Sequence, residues 1–279
     1  MIIDVHTHIC PLEIRENRND YVDRGGEAFA AIYKDPKARL AGAAELVAVM
    51  DEEGVDRAVA FGFPWSDRDT AMRHNDYILD AQARFPDRII GLGCFDPLQP
   101  WAWAEAERVL DAGLRGLGEL AIYEHGFDTD ALDAFSALGE ICRQRKAPMM
   151  VHVNEPIGHQ YPGKAPLTLP MIYDLVKRLS EIDLILAHMG GGLFFYGLLK
   201  REVLTALERV YFDTAAVPFL YRPEVYKTAA QIVGAEKILF GTDYPLLKPS
   251  RYFRDIDQAG LGDSDRPLIL GDAAAGLFA

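Results

Sequence analysis

Cysteine is scarce in this chain, and long hydrophobic runs are missing. The three cysteines, Cys10, Cys94 and Cys142, are widely spaced and odd in number, which argues against a disulfide framework and for a reducing compartment. No apolar run approaches the roughly 20 residues needed to span a bilayer. No signal peptide is apparent, because acidic Asp4 interrupts the apolar stretch near the first residue. We therefore expect a cytoplasmic protein that does not insert into a membrane.

Positive charge is also in short supply. Basic residues number 29 against 42 acidic ones, which gives a formal net charge of −13. This balance disfavours electrostatic capture of nucleic acid or of an anionic membrane surface. A small molecule is therefore the expected partner, and a homo-oligomer is left open.

Apolar segments and amphipathic helical segments alternate eight times along the chain. The first predicted strand begins at residue 2, and the others span residues 55–63, 88–95, 114–122, 148–154, 183–188, 209–214 and 237–243. Nearly continuous apolar strands separated by helices are typical of a parallel sheet that is covered on both faces. We predict an α/β fold, a closed (β/α)8 TIM barrel, which forms one domain over residues 1–279. An open doubly wound sheet is the alternative, but no glycine-rich phosphate turn follows the first strand.

Residues 10–39 do not fit this alternation. They contain several prolines, glycines and charged residues and show little periodicity. A long connection of this kind inside a compact domain is uncommon and usually functional. We interpret it as a loop insert after the first strand that covers the active site.

The first predicted strand ends in His6 and His8, which alternation places on one face. Two imidazoles on one face offer two nitrogen ligands to a divalent metal, although ordinary polar residues at a strand end are the alternative. Active sites of such barrels lie at the carboxyl ends of the strands. Titratable residues end five later strands: Glu119, His152, His188, Asp213 and Asp243. Buried groups of this kind are costly unless paired or metal-bound, so their convergence on one rim predicts a metal centre.

Several short motifs accompany these residues. They are DVHTH at 4–8, NDY at 75–77 with FPDR at 85–88, GLRG at 113–116, AHMGG at 187–191, YFDT at 211–214 and LFGTDYP at 239–245. Together with His152 they resemble the amidohydrolase superfamily, specifically the amidohydrolase-2 branch that also contains aminocarboxymuconate-semialdehyde-type decarboxylases. The resemblance covers almost the whole chain. It implies that His6, His8, His152 and Asp243 bind the metal, and that His188 hydrogen-bonds to a substrate oxygen or to the water that the metal activates.

Glu119 ends the fourth predicted strand, where members of the superfamily with two metals place a bridging carboxylate or a modified lysine. We expect Glu119 to be a further metal ligand, with support of the other ligands as its alternative role. Asp243 is expected to accept and return a proton, and His188 to stabilise charge on a carbonyl oxygen. Zinc is the expected ion, one or two per chain, while manganese, iron and cobalt suit the same ligands.

Two loops at the carboxyl ends of the strands supply candidate substrate contacts. His159, Tyr161 and Lys164 follow the fifth predicted strand, and His125 follows the fourth. Loops at this end of a barrel commonly bind substrate, and the Lys164 ammonium could pair with a substrate carboxylate. A solvated loop without a binding role is the alternative.

The resulting hypothesis is a metal-dependent hydrolase that attacks a small amide, lactone or ester through a metal-activated water. Non-oxidative decarboxylation of an aromatic or unsaturated carboxylic acid is the alternative, and a non-catalytic metal-binding protein is a third. Glu119 is the reason for preferring hydrolysis. A TatD-like nuclease would share the chemistry, but the acidic charge and the lack of a basic stripe count against it.

Overall fold

The computed structural model describes residues 1–22 and 24–279, and a ring of eight parallel strands lies at its centre. The strands are β1 (Ile3–His8), β2 (Arg57–Phe61), β3 (Ile89–Gly91), β4 (Leu117–Leu120), β5 (Met149–Val151), β6 (Leu184–Leu186), β7 (Val210–Asp213) and β8 (Ile238–Leu239). Ladders join β1 to β3 and β4 to β8 in chain order. Single parallel bridges, Thr7 to Tyr244 and Gly93 to Leu117, close the ring. The predicted (β/α)8 barrel is confirmed.

Helices separate the strands and cover the outside of the ring. They are α1 (Leu12–Glu16), α2 (Gly26–Tyr33), α3 (Ala43–Glu53), α4 (Arg68–Arg84), α5 (Ala102–Asp111), α6 (Thr129–Arg145), α7 (Leu169–Arg178), α8 (Ala187–Gly190), α9 (Arg201–Ala206), α10 (Val217–Leu220), α11 (Glu224–Val233), α12 (Pro249–Gln258), α13 (Asp265–Pro267) and α14 (Ala273–Leu277). Shorter helical turns span Arg18–Tyr21, Leu193–Leu198, Ala235–Lys237 and Leu268–Asp272. None of the described helices is long and apolar enough to cross a membrane.

Side chains that cap the helices explain several of these boundaries. The Asp67 and Asp128 carboxylates accept hydrogen bonds from backbone N–H groups in the first turns of α4 and α6, at 3.0 and 2.9 Å. The connection from β6 to β7 is less regular, since residues 193–207 form a 3₁₀ turn followed by the short helix α9. Most of the predicted strands extend too far, because their last residues leave the ladder and turn toward the mouth of the barrel.

Two hydrophobic clusters stabilise the barrel. One fills its interior and includes Ile3, Val59, Leu92 and Leu239, with Phe278 buried against the same cluster. The larger cluster lies between the strands and the outer helices. Burial on both faces explains why the strands read as continuous apolar runs.

Two β-bulges place polar side chains at the carboxyl end of the barrel. The register between β1 and β2 shifts by one residue between Asp4 and Thr7, and a similar shift occurs in β4 between Leu117 and Leu120. A bulge reverses the alternation of side chains beyond it. Before the bulge, the odd-numbered residues Ile3 and Val5 belong to the interior cluster. Beyond it, the even-numbered residues His6 and His8 face the interior, where their rings contact Phe61.

The segment 10–39 is more ordered than its sequence suggests. It contains α1, α2 and the turn Arg18–Tyr21, while Asp23 lies outside the described residues. Each piece is only one or two turns long, so no helical periodicity can build up. Phe29 of α2 is fully buried and packs against Trp65 and Phe63, with ring centroids 4.6 and 5.2 Å apart. The insert is thereby held on the carboxyl-end loop that follows β2.

Candidate metal centre

Four side chains, in or just beyond three strands, each bring one donor atom close to the ring nitrogens of His6 and His8. The donors are His6 Nε2, His8 Nε2, Glu119 Oε2 and Asp243 Oδ1. His6 Nε2 lies 3.3 Å from His8 Nε2, 3.6 Å from Glu119 Oε2 and 3.7 Å from Asp243 Oδ1. His8 Nε2 lies 3.2 Å from Asp243 Oδ1 and 3.9 Å from Glu119 Oε2. Tetrahedral ligands about 2.1 Å from one ion lie roughly 3.4 Å apart, so these separations suit a single divalent cation.

The other Glu119 oxygen belongs to a second group of donors. Glu119 Oε1 lies 3.0 Å from His152 Nδ1 and 3.4 Å from His188 Nε2. The two imidazole nitrogens are 3.3 Å apart. The structure thus brings the six candidate residues together, with the Glu119 carboxylate between two groups of donors. His152, which the resemblance places with His6 and His8, lies instead in the second group.

In each of the four histidines, the ring nitrogen that points away from the centre is hydrogen-bonded to a protein oxygen, which leaves the other nitrogen facing the centre. His6 Nδ1 hydrogen-bonds to Asp213 Oδ2 at 2.8 Å, and His8 Nδ1 to the Gly62 carbonyl at 3.1 Å. His152 Nε2 faces the Gly163 carbonyl and His188 Nδ1 the Ala215 carbonyl, both at 3.0 Å. Because these oxygens only accept, each ring donates its outward N–H and presents a lone pair inward when neutral. Metal-ligating histidines show this same arrangement.

The donor set therefore fits a divalent metal. Three combinations of these residues have ligand atoms close enough to share one ion: His6 with His8 and Glu119, His6 with His188 and Asp243, and Glu119 with His152 and His188. Imidazole and carboxylate donors suit zinc, manganese, iron and cobalt. Inward nitrogens that face one another would repel as lone pairs, and a cation between them removes that repulsion.

Asp213 orients two members of the centre from outside it. One of its oxygens accepts from the His6 ring, and the other accepts from the backbone N–H of His188 at 2.9 Å and of Ala215 at 3.0 Å. His188 and Asp243 have left-handed backbone conformations, with φ values of 53° and 57°. Such conformations are unfavourable for these residue types and cluster at functional sites.

The pKa values show how strongly the carboxylates favour positive charge at this place. Burial lowers the pKa of His6, but the charges of Asp213 and Glu119 together outweigh burial and raise the pKa to about 10. Burial also lowers the pKa of His188, and the hydrogen bond and charge of Glu119 raise it to about 9. Burial raises the pKa of Glu119, yet the surrounding imidazoles hold it well below its usual range. A bound divalent cation would supply this positive charge and displace the protons.

The predicted substrate contacts lie in two loops near the mouth of the barrel. His125 and His159 are exposed, and Tyr161 is half-buried. The side chain of Lys164 is buried and paired with Glu155, so its ammonium would have to leave that carboxylate to bind a substrate. All four residues remain predictions as substrate contacts.

Three aromatic residues that pack one on the next, starting from the ring of His152, are absent from the sequence-based predictions. Tyr123 lies 5.0 Å from the His152 ring, Phe63 stacks near Tyr123 at 6.3 Å, and Tyr33 of the insert lies 6.1 Å from Phe63, all between ring centroids. Burial, with a further contribution from Glu119, raises the pKa of both tyrosines well above 10, so both remain phenols. Tyr123 and Phe63 each follow the end of a strand, which is the sequence signal that could have identified them.

Comparison with known families places the chain. The family profile described as Amidohydrolase (Amidohydro_2) matches residues 3–279. The chain belongs to this amidohydrolase family. The resemblance drawn from its motifs is thereby confirmed.

Three individual proteins illustrate the relationship. The chain is 27% identical to the 2-amino-3-carboxymuconate-6-semialdehyde decarboxylase of Dictyostelium discoideum over 77% of its length and 69% of the relative. A 5-carboxyvanillate decarboxylase from Sphingomonas paucimobilis has a similar structure, with a TM-score of 0.75, 20% identity, and coverage of 99% and 98% of the two chains. A dihydroxybenzoic acid decarboxylase from Polaromonas sp. JS666 was solved with bound manganese and 2-nitroresorcinol. Its structure matches with a TM-score of 0.71 and 18% identity, over 99% of this chain and 96% of that one. At these identities the two structures show a shared fold.

Proposed function

We propose that this protein is a metal-dependent, non-oxidative decarboxylase of a small aromatic or unsaturated carboxylic acid. The observation that carries the proposal is the set of lone-pair donors with the ring of Tyr123 against it, on which Phe63 and then Tyr33 pack. The similar proteins named above are decarboxylases of acids of this class. They favour decarboxylation over the hydrolysis that Glu119 led us to prefer. Manganese joins zinc as a leading candidate ion, since one similar structure contains it.

The metal would be held by His6, His8 and Asp243, together with Glu119 and His152. When bound, a divalent ion supplies a Lewis acid for the oxygens of the substrate. Two arginines of the insert, Arg15 and Arg18, are already engaged within the protein and are not free to bind a substrate carboxylate. Arg15 pairs with Glu45, and Arg18 donates to the backbone carbonyls of the insert, including that of Tyr33 at 3.1 Å.

The chain's own residues would bind the acid and move one proton. In decarboxylation the bond from the ring carbon to the carboxylate breaks, carbon dioxide leaves, and a proton bonds to that carbon. Asp243 has the most exposed side chain of the donors, at 19%, so it is placed to receive a proton and deliver it to the substrate. His188, whose Nδ1–H is held by the Ala215 carbonyl and whose protonated form Glu119 favours, would donate its Nε2–H to a substrate oxygen, and the aromatic rings would pack on the substrate.

A product assay tests this proposal. Protein loaded with Mn²⁺ or with Zn²⁺ is incubated in D₂O with 2,6-dihydroxybenzoate and 5-carboxyvanillate, and carbon dioxide and product deuteration are measured. We expect carbon dioxide release with one deuterium at the vacated carbon, and none after chelation. Turnover of an aryl ester or a lactone, with both acids left intact, would contradict the proposal.

Hydrolysis is the second candidate, and the bridging position of Glu119 favours it. Its two oxygens face two separate groups of donors, an arrangement that suits two ions and an activated water. Elemental analysis of wild type and Glu119→Gln tests this candidate. Two ions in wild type and one in the variant would support it, whereas one ion in both would leave Glu119 as a supporting residue.

A further inference from the structure

The loop that follows β5 is folded around the buried ammonium group of Lys164. Lys164 Nζ donates to Glu155 Oε1 at 2.8 Å and to the carbonyls of Ile157 and His159 at 3.2 and 3.3 Å. The hydroxyl of Tyr161 donates to the other Glu155 oxygen at 2.9 Å. The Lys164 side chain is only 4% exposed. Lysine is rarely this buried unless it is paired, so the ion pair fixes the conformation of the loop.

The residue before Lys164 carries the carbonyl that fixes a ring of the metal centre. Gly163 O accepts the Nε2–H of His152 at 3.0 Å. The next residue, Lys164, is held by Glu155. The residue after it, Ala165, is held by Asn154, which accepts from its N–H at 2.7 Å and donates to its carbonyl at 3.1 Å.

We infer that Glu155 and Lys164 are positioning residues for the metal ligand His152. The ion pair holds the Gly163 carbonyl, the carbonyl fixes the ring and its tautomer, and Nδ1 is thereby aimed at Glu119 and His188. The inference rests on the metal centre of the proposed function. It gives Lys164 a role that differs from the predicted contact with a substrate carboxylate. Mutation of such partners of ligating histidines typically weakens metal affinity by about 10- to 100-fold.

Calorimetric titration of chelator-treated protein with Mn²⁺, and separately with Zn²⁺, tests the inference without reference to activity. We expect Lys164→Met to bind the ion at least about tenfold more weakly than wild type. Lys177→Met is the matched control, because it removes a lysine whose partner Asp174 lies 2.7 Å away on the exposed face of α7. The control should bind the ion as wild type does.

Lys164→Met leaves the Glu155 carboxylate unpaired, and the variant Glu155→Gln/Lys164→Met removes that complication. Hydrogen exchange of residues 155–165 in the same variants reports whether the loop has loosened. Faster exchange confined to the loop, with weaker metal binding in both variants, supports the inference. Metal binding within about twofold of wild type in the double variant overturns it, whatever the exchange shows. A wild type that binds neither ion would instead overturn the metal centre itself, and the inference with it.

Discussion

His74 differs from the histidines of the metal centre in what its ring nitrogens face. His74, on α4, is 1% exposed. Its Nδ1 accepts from the Trp65 indole N–H at 2.9 Å, and its Nε2 faces the Ile9 carbonyl at 2.7 Å. A neutral imidazole has one donor and one acceptor, so this ring is fully satisfied by the protein. In the metal centre each ring has one satisfied nitrogen, and its other nitrogen faces further nitrogens and carboxylates.

The difference teaches that burial alone does not mark a ligand. Burial lowers the pKa of His74 to about 4, against a smaller opposing effect of the hydrogen bond to Ile9. His6 and His188 are as deeply buried, yet carboxylates raise their pKa values to about 10 and about 9. The sign of the shift follows the charge that each ring faces. A ring among carboxylates is prepared for a cation, and a ring between an indole and a carbonyl is prepared to stay neutral.

Removing two inward nitrogens should have the largest effect on this contrast. We expect the variant His6→Ala/His8→Ala to lose metal and to lose activity by about a thousandfold or more, since the Lewis acid provides several kcal/mol. The fold should persist, because the interior and outer clusters do not depend on these rings. Elemental analysis, turnover and circular dichroism check the three statements.

The result would contradict the ligand assignment if the double variant retained a full equivalent of metal. His74→Ala is the matched control, because it also removes a buried imidazole but no inward-facing donor. It should bind metal in the same amount as wild type. Metal loss in this control as well would show that any damage to the barrel mouth releases the ion.

Asp243→Asn should have the next largest effect. The amide keeps an oxygen donor at nearly the same place, but it cannot accept and return a proton. We therefore expect much of the metal to remain while turnover falls by about 10²- to 10⁴-fold, the usual contribution of general acid–base catalysis. Metal content and the rate of carbon dioxide release are measured together. Turnover close to wild type would assign the proton transfer to another residue, with His188 the next candidate.

The sequence predicts the barrel well, because its signal is repeated eight times. Buried parallel strands are continuous apolar runs, and the residue types at their carboxyl ends already locate the centre. The residues of the first strand illustrate the limit. Alternation correctly suggests that His6 and His8 share a face, but it gives no sign of the bulge that turns this face inward. The bulge depends on pairing with β2, which lies about 50 residues away in the chain.

Contacts made by loops are the part that the sequence does not supply. Lys164 has the composition of a substrate contact, and only the three-dimensional structure shows that Glu155 already holds it. Tyr33 lies in an aperiodic insert and reaches Phe63 through packing that no local pattern encodes. His74 shows the same limit. It lies on the amphipathic helix α4, and only the three-dimensional structure shows that Trp65 and Ile9 satisfy both of its ring nitrogens.

The pH dependence of His74 provides the smallest predicted effect. Its folded pKa of about 4 lies below the ordinary value of 6.5, so between these values the unfolded chain binds a proton that the folded chain does not. The free energy of unfolding should therefore fall as the pH drops from about 6.5 to 4, with His74 contributing about 3 kcal/mol of the loss. His74→Gln can donate to Ile9 and accept from Trp65 without titrating, so its stability should fall by that much less. Urea unfolding of chelator-treated wild type and variant at both pH values measures the difference. The same loss of unfolding free energy in both proteins would mean that folding does not lower the pKa of His74.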